Sequence, residues 1–376
     1  MNKSILMTYL LSLMLCLGNF SCSNDTDLIL DEVLINEPIV IPVDEEKPTD
    51  EEPPVTEEPP VTEEPPVSNP GQTLDDKKIH GSAYCGPYTS SKPLVLSGLR
   101  DTIISGLDIS NPLGHAITIT NCQNVIIENS YIHDSKGNAV NIVSSSNITV
   151  RHNRMELVST GVYAQISEGI KVLNNDVKNV IGPFPRGQLV QFMACKGAGN
   201  QINNNAMENL LNFSYSEDAI NLYKTSGTAD SPVEIIGNWI RGGGPSNSGG
   251  GIMTGDNGGS YILVKDNILV NPGQYGIAIA GGTHIEIYDN SIYAKQQTFT
   301  NVGIYIWNQS TATTDCNSNL ITNNTVYWRN KKGNLNAAWN SGNCGTVIGW
   351  DENHWNASID ENILPQKILM TACSSN

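Results

Sequence analysis

The chain has 376 residues, enough for one large domain or two smaller ones, and a formal net charge of -17. The charge is uneven, because residues 1–70 hold 15 of the 38 acidic residues and only two basic ones, Lys3 and Lys47. Residues 71–376 carry 23 acidic and 19 basic residues, a net of -4. No basic stripe favours a nucleic-acid partner. Aromatic residues make up 6 % of the chain and there are 34 glycines, a composition that favours tight turns.

The first 21 residues have the pattern of a targeting segment. Lys3 precedes an apolar run over residues 5–18, which is too short to span a membrane comfortably and fits a signal sequence. Residues 1–21 resemble a bacterial lipoprotein signal peptide, with Cys22 as the lipidated residue, and an ordinary secretory signal is the alternative. The acidic SNDTD that begins at Ser23 resembles the surface-export signal of Bacteroidetes lipoproteins. The resemblance implies an outer-membrane lipoprotein exposed at the cell surface, held to the membrane only through its lipid.

An acidic, proline-rich tether is predicted over residues 22–70. Residues 51–67 read EEPPVTEEPPVTEEPPV, a six-residue repeat. Adjacent prolines favour the extended polyproline conformation, and the repeated carboxylates repel one another. The segment therefore predicts a stiff spacer between an anchor and a folded body, or a passive linker.

A longer repeat runs through the rest of the chain. Its clean copies place an asparagine at Asn153, Asn175, Asn205, Asn238, Asn267, Asn290 and Asn324, with Val or Ile three residues earlier. Two earlier copies, near Gly106 and Asn129, fit with a one-residue ambiguity. Short alternating runs, such as AINLY at residues 219–223, precede several copies and predict strands with one buried face. An asparagine at one turn position suits left-handed backbone geometry and lets side-chain amides bond from coil to coil.

Repeat units of 22 to 34 residues that stack on their neighbours are typical of solenoids. The pattern resembles the right-handed parallel β-helix of the pectate lyase-like superfamily. That resemblance implies an all-β solenoid of about ten coils with an Asn ladder. We assign residues 71–100 to an N-terminal cap, 101–360 to the β-helix and 361–376 to a C-terminal tail.

Repeat lengths predict where a site lies. The longest connections, IGPFPRG, LLNFSYSE and RGGGPSNSGG, begin at Ile181, Leu210 and Arg241 and fall at one corner of consecutive coils. Beside this corner, outward positions of successive strands carry amides and aromatic rings. We expect a glycan-binding groove with these residues exposed along it: Tyr163, Gln191, Asn221, Tyr223, Tyr305 and Trp307.

Charged residues near the same strands suggest chemistry. Lys224 and Asp256 are expected side by side on successive coils, either as a surface ion pair or as a catalytic or substrate-charge pair. Arg186 and Arg241, in the corner loops, are candidates for binding a uronate carboxylate. Asp218 and Asp256 resemble a hydrolase pair, but strand spacing predicts that they lie too far apart to act together.

The leading functional hypothesis is a polysaccharide lyase acting on a uronate-containing glycan, with Lys224 as base. The alternatives are a non-catalytic glycan-binding lipoprotein, a β-helical glycoside hydrolase and an adhesive rod. The expected partner is a polysaccharide or oligosaccharide bound by a monomer. No metal ligand set is recognised, and calcium is a possible cofactor only by the family resemblance. Cys316 and Cys344, about one coil apart, are a candidate disulfide or two free thiols.

Overall fold

The computed structural model describes residues 84–312 and 314–369, all within one compact unit of residues 63–376. The predicted signal peptide, its candidate lipidated residue Cys22 and the predicted tether lie outside the described residues. In the described part of the chain, no helix combines the length and the hydropathy needed to cross a membrane.

The described residues form a solenoid of three parallel sheets, so the predicted all-β parallel β-helix is confirmed. Each coil contributes one strand to each sheet in the order sheet 1, sheet 2, sheet 3, and every strand pairs in parallel with its equivalents one coil away. Sheet 3 contains eleven strands, in agreement with about ten coils.

Thirty strands are numbered in chain order. Sheet 1 contains β2 (Leu94–Ser97), β5 (Ile117–Thr120), β8 (Val140–Val143), β11 (Val162–Gln165), β14 (Val190–Met193), β17 (Ile220–Ser226), the first part of β20 (Ile252–Lys265), β22 (Tyr275–Ile279), β25 (Val302–Ile306) and β29 (Ala338–Asn340). Sheet 2 contains β3 (Arg100–Ser105), β6 (Gln123–Glu128), β9 (Ser146–Arg151), β12 (Lys171–Leu173), β15 (Gln201–Asn203), β18 (Val233–Ile236), the second part of β20, β23 (Gly282–Tyr288), β26 (Cys316–Asn317) and β27 (Leu320–Thr322). Sheet 3 contains β1 (Thr89–Ser91), β4 (Leu107–Ser110), β7 (Tyr131–Ser135), β10 (Arg154–Val158), β13 (Asp176–Lys178), β16 (Ala206–Glu208), β19 (Trp239–Arg241), β21 (Ile268–Val270), β24 (Ser291–Ala294), β28 (Thr325–Trp328) and β30 (His354–Trp355).

The core is the interior of the coil. Alternate strand residues point inward, and they are mostly Val and Ile because a β-branched side chain packs well on a pleated surface that is covered by the coils above and below. In β8, for example, Val140 and Ile142 are fully buried in a continuous column of apolar side chains. Inward apolar residues thus fix which positions of each strand face outward.

The asparagines of the repeat form a buried ladder. The side-chain Nδ2 of Asn205 donates to Oδ1 of Asn238 at 3.0 Å, and the backbone N of Asn205 donates to the same oxygen, also at 3.0 Å. The ladder continues to Asn353, which the sequence pattern missed. In the coil of the ambiguous copy near Asn129, the ladder position is occupied by Ser130, whose backbone N donates to Oδ1 of Asn153. The expectation of left-handed geometry applies to the preceding residue instead, because Asn204 has a φ of 55°.

Both ends of the solenoid differ from the expected boundaries. Parallel pairing begins at Thr89, inside the range assigned to the N-terminal cap. At the other end, two 3₁₀ helices, Trp350–Glu352 and Glu361–Ile363, follow the last coils. Leu364 and Ile368 then pack on the outer face of sheet 3, so residues 361–369 cover part of that face. Cys316 and Cys344 form a disulfide in the last coils.

Candidate active site

The outward row of sheet 1 has the register that the repeat predicts. Asn221 pairs with Gln191 on one side and with Met253 on the other, and Tyr305 pairs with Ala278 and with Trp339. The row is therefore continuous along the face bounded by the long corner loops.

Most of this row is buried, which corrects the expectation of an exposed groove floor. Tyr163, Gln191, Asn221 and Tyr305 are all buried, whereas Tyr223 is partly exposed and Trp307 is 42 % exposed. The reason is that side chains from neighbouring loops cover the row. The guanidinium of Arg186 lies 5.5 Å from the centroid of the Tyr163 ring, and Nε2 of Gln309 donates to the Tyr305 hydroxyl at 3.0 Å.

A polar network lies at the centre of the row. Nδ2 of Asn221 donates to Oδ2 of Asp218 at 2.9 Å and to Oδ2 of Asp256 at 3.0 Å. The two carboxylate oxygens therefore lie at most about 6 Å apart. The Oδ1 of Asn221 accepts a hydrogen bond of 2.8 Å from Gln191 Nε2, which fixes which way the amide points.

The closeness of Asp218 and Asp256 corrects the prediction that they lie too far apart. Asp256 pairs with Tyr223, not with Lys224, because the register of β17 and β20 shifts at this point. Gly255 makes the shift possible: its φ is 64°, and a Cβ there would lie 1.9 Å from the carbonyl oxygen of Gly281. Asp218 precedes β17, and its side chain reaches forward to Asn221, three residues along the chain.

Asp218 is the more buried carboxyl of the two, at 3 % exposure. Its Oδ1 accepts hydrogen bonds from the backbone N of Gly250, at 2.9 Å, and from the hydroxyl of Tyr275. The pKa of Asp218 is raised to about 7: burial is the main cause, the nearby charge of Glu217 adds to the increase, and the bonds from Tyr275, Asn221 and Gly250 oppose it. Asp218 is thus a carboxyl whose proton is held until near neutral pH.

Asp256 lies closer to solvent and to a cation. Burial raises its pKa, and the hydrogen bond from Asn221 and the charge of Lys224 lower it. The Asp256 side chain is partly exposed. Two carboxyls in different environments, joined by one amide, form an arrangement that can supply an acid and a base to one reaction.

The predicted basic residues do not converge on this network. Lys224 is exposed, and its Nζ lies 5.2 Å from the centroid of the Tyr223 ring. Arg186 lies over Tyr163 as described. The expectation for Arg241 is contradicted: one of its nitrogens donates to the carbonyl oxygens of Glu361 and Leu364, at 2.6 and 2.7 Å. Arg241 lies on β19 in sheet 3, and there it holds the C-terminal segment.

Three contributors escaped the sequence pattern. The hydroxyl of Tyr275 donates a hydrogen bond to Asp218 from two coils away. The alternating sequence pattern marks the strand that contains Tyr275, but the contact with Asp218 depends on the loops between the coils. The carboxylate of Glu217 accepts hydrogen bonds from Ser246 and Ser248, which ties down the corner loop. Trp339 is 46 % exposed, and its ring centroid lies 5.9 Å from that of Trp307. The run AAWN around Trp339 was the available signal.

The described residues offer no obvious metal centre. Within residues 84–312 and 314–369, no group of three or more His, Cys, Asp or Glu side chains is arranged to hold a metal ion. Asp218 and Asp256 are two carboxyls joined by an amide nitrogen, which is a donor and not a metal ligand.

The fold and site define a β-helical protein with a carboxyl pair on its sheet 1 face. A family model described as a right-handed β-helix region matches residues 94–258, less than half of the chain. It agrees with the predicted hand of the coil. The comparison with curated proteins finds no match.

Several solved structures are similar to this chain in fold. Two are the catalytic domain of a GH87 α-1,3-glucanase, one a variant in complex with tetrasaccharides and one in complex with nigerose. Both are 15 % identical over 74 % of this chain and 63 % of that chain, with TM-scores of 0.41 and 0.38. A third is a tailspike protein of E. coli bacteriophage HK620 in complex with a hexasaccharide, 10 % identical over 69 % of this chain and 57 % of that chain, with a TM-score of 0.31. This chain thus spans less than two thirds of the length of each.

Proposed function

We propose that this protein binds a polysaccharide along the sheet 1 face and hydrolyses its glycosidic bonds. The observation that carries the proposal is the shared amide: Asp218 and Asp256 both accept a hydrogen bond from Nδ2 of Asn221. Glycosidases use a pair of carboxyls, about 5 to 10 Å apart according to their mechanism. An upper limit of about 6 Å between the two oxygens is compatible with the roughly 5–5.5 Å of retaining enzymes and shorter than the roughly 6.5–9.5 Å of inverting ones.

The protonation states of the pair suit this chemistry. With a pKa of about 7, Asp218 keeps its proton at mildly acidic pH and is about half protonated at neutral pH, which suits a general acid. Burial raises the pKa of Asp256, but the hydrogen bond from Asn221 and the charge of Lys224 oppose the increase. Asp256 is also the more exposed carboxyl, so it is the better placed of the two to ionise, as a nucleophile or general base must. We therefore assign the acid role to Asp218 and the nucleophile or base role to Asp256.

The surroundings of the pair suit a sugar chain. Towards the C-terminal end of the same face, Tyr305, Trp307 and Trp339 form a chain of ring contacts with centroids 5.9 to 6.4 Å apart. Aromatic rings stack on the apolar faces of sugars, and two of these rings are substantially exposed. The rings supply binding energy beside the carboxyls without taking part in the reaction.

Cleavage by β-elimination, the leading hypothesis from the sequence, requires an uncharged lysine at Lys224. Lysines that act as bases are generally buried, whereas Lys224 is exposed. Hydrolysis by the carboxyl pair needs no such change of state. This contrast is why we favour hydrolysis over elimination.

Glycan binding without cleavage is a second candidate, and one observation favours it. Asp218 is almost completely buried, and each of its oxygens already accepts a hydrogen bond. A carboxyl in such a setting also serves to hold Asn221 and the loop at Gly250 in place. In that case the pair organises the binding face and does no chemistry.

One assay separates the three candidates. The protein is incubated with a panel of neutral and acidic polysaccharides, and new reducing ends, ultraviolet absorbance from unsaturated uronates, and retardation in affinity electrophoresis are measured. Hydrolysis gives reducing ends without the absorbance, and elimination gives both. Retardation by a glycan that yields no reducing ends means binding alone and would contradict the proposed hydrolysis.

We also propose that the protein works at the outer surface of the outer membrane, anchored through Cys22. The signal-like residues 1–21 and the acidic, proline-rich sequence of residues 22–70 support this location. Incorporation of labelled palmitate by the wild type, and its loss in Cys22→Ser, tests the anchor. Protease accessibility on intact cells tests the exposure. A wild-type protein that takes up no label, or is protected from protease, contradicts the proposal.

A further inference from the structure

A hollow of about 350 Å³ lies at the turn between sheet 1 and sheet 2. Lys196, Lys224, Asn257 and Thr283 are among the residues that line it. It adjoins the carboxyl pair, because Asn257 follows Asp256 in the chain and the charge of Lys224 acts on that carboxyl. Its size is at the lower end for small-molecule sites and suits a single sugar unit.

Some side-chain donors in the lining make no ion pair or hydrogen bond within the described residues, although Lys224 contacts the Tyr223 ring and Asn257 and Thr314 are hydrogen-bonded. Among the described residues, neither Lys196 nor Lys224 forms an ion pair, since the cations that do are elsewhere. The hydroxyl of Thr283 makes no hydrogen bond within the described part of the chain, and that of Ser226 only accepts one, from the backbone N of Ser260. Asp315 is the single carboxylate in the lining, so two ammonium groups face one acidic group.

Two glycines keep the hollow open. Gly258 has a φ of 94°, and a Cβ there would lie 3.1 Å from Cγ2 of Thr314, a residue on the other side of the lining. Gly259 has a φ of 137°, and a Cβ there would lie 2.3 Å from the carbonyl oxygen of Thr225. Side chains at these positions would narrow the space or displace the backbone.

We infer that this hollow binds the anionic substituent of an acidic glycan, a carboxylate or a sulfate ester on a sugar next to the carboxyl pair. Among the described residues the ammonium groups of Lys196 and Lys224 form no ion pair, and with the nearby hydroxyls they offer the charge-assisted hydrogen bonds that such a group accepts. The inference rests on the proposed function, because that function places a sugar unit beside Asp256. It narrows the substrate class from polysaccharides in general to acidic ones.

The test is binding by calorimetry, with Asp256→Asn so that no probe is consumed. The probes are galacturonate oligosaccharides for the carboxylate, carrageenan oligosaccharides for the sulfate ester, and the carboxyl-reduced and desulfated forms of each. We expect one acidic probe to bind at least tenfold more tightly than its neutral form. In the Asp256→Asn background, Lys196→Ala combined with Lys224→Ala should abolish that preference. In the same background with both lysines kept, Asp315→Asn should increase the preference severalfold.

Lys136→Ala provides the matched control, because Lys136 is also exposed and lies several coils away. It should leave the preference unchanged, and thermal melts establish that each variant is folded. Equal affinity for acidic and neutral probes, no binding of any acidic probe, or a preference that survives loss of both lysines overturns the inference. Hydrolysis of neutral glycans alone would sink this inference and leave the proposed function standing. Lysine-dependent binding without cleavage by the wild type would do the reverse.

Discussion

Asp218 and Asp256, 38 positions apart in the chain, accept hydrogen bonds from the same side-chain nitrogen of Asn221. The amide is itself oriented by Gln191, one coil earlier. Three successive coils therefore determine the geometry of the carboxyl pair.

The raised pKa of Asp218 predicts a pH dependence of stability. In the unfolded chain its carboxyl loses its proton near pH 4, whereas the folded protein keeps it to about pH 7. Between these values the folded state binds more protons, so this group's contribution to stability is greatest below about pH 4 and is lost as the pH rises to about 7. The melting temperature of the wild type should therefore fall relative to that of Asp218→Asn across this window.

Thermal melts at intervals of pH measure the difference between the two proteins. Asp351→Asn, at an exposed carboxyl, controls for the substitution itself. A difference that is flat with pH, or that grows in favour of the wild type as the pH rises, would show that Asp218 does not carry the raised pKa.

Gly255 should be essential to the position of Asp256. Gly255→Ala forces alanine into a φ of 64° and against the carbonyl oxygen of Gly281. Gly98→Ala is the matched control, because its φ is 69° and nothing lies within 4 Å of a Cβ there. The control should lose about 1–2 kcal/mol of stability, the cost of a left-handed backbone at a residue with a Cβ, and Gly255→Ala should lose more and also lose glycan hydrolysis. Urea unfolding and the reducing-end assay measure the two effects, and equal effects of the two variants would contradict the assigned role of the bulge.

The Asn ladder should carry much of the stability of the solenoid. Asn205→Ala removes the oxygen that accepts from both the backbone N and the Nδ2 of Asn175. Since each unsatisfied buried polar group costs about 1–3 kcal/mol, we expect a loss of about 3 kcal/mol in chemical denaturation. Asn317→Ala, at an exposed asparagine outside the ladder, should change stability by less than about 0.5 kcal/mol. Similar losses from the two substitutions would rule out a special contribution of the ladder.

Trp307 and Trp339 should contribute to glycan binding without supporting the fold. Both are more than 40 % exposed, so Trp307→Ala with Trp339→Ala opens no core cavity. Stacking on an aromatic ring is worth about 1–3 kcal/mol where it has been measured for nucleic acids, so we expect at least about tenfold weaker binding. Affinity electrophoresis is the measurement, with Lys171→Ala on sheet 2 as control. If the double variant and the control bind alike, the sugar lies elsewhere.

The fold follows from local, periodic signals. Val or Ile three residues before each of the seven asparagines recognised in the sequence is enough to place the inward column, because every coil repeats the same environment. The same periodicity missed Asn353, where the surrounding pattern changes as the solenoid ends. It also placed the left-handed residue one position late, since backbone φ is not visible in a pattern of side chains.

The candidate site was harder to predict because it depends on departures from the repeat. The register of sheet 1 could be predicted from the sequence, except at Gly255, where it shifts beside the carboxyl pair. Because of this shift, the prediction that Asp218 and Asp256 lie too far apart to act together was wrong. Burial of Tyr163 and Tyr305 depends on loops whose paths are set by contacts between coils. The role of Arg241 depends on residues 120 or more positions later in the chain.

The most direct test of the account is the turnover of a glycan by Asp256→Asn. The substitution keeps the shape of the side chain, so binding to a glycan that the wild type cleaves should change by only a few fold. Removing one member of an acid–base pair should lower the release of reducing ends by about a thousandfold. Undiminished cleavage by Asp256→Asn, or cleavage that generates unsaturated uronates, would contradict hydrolysis by the Asp218–Asp256 pair.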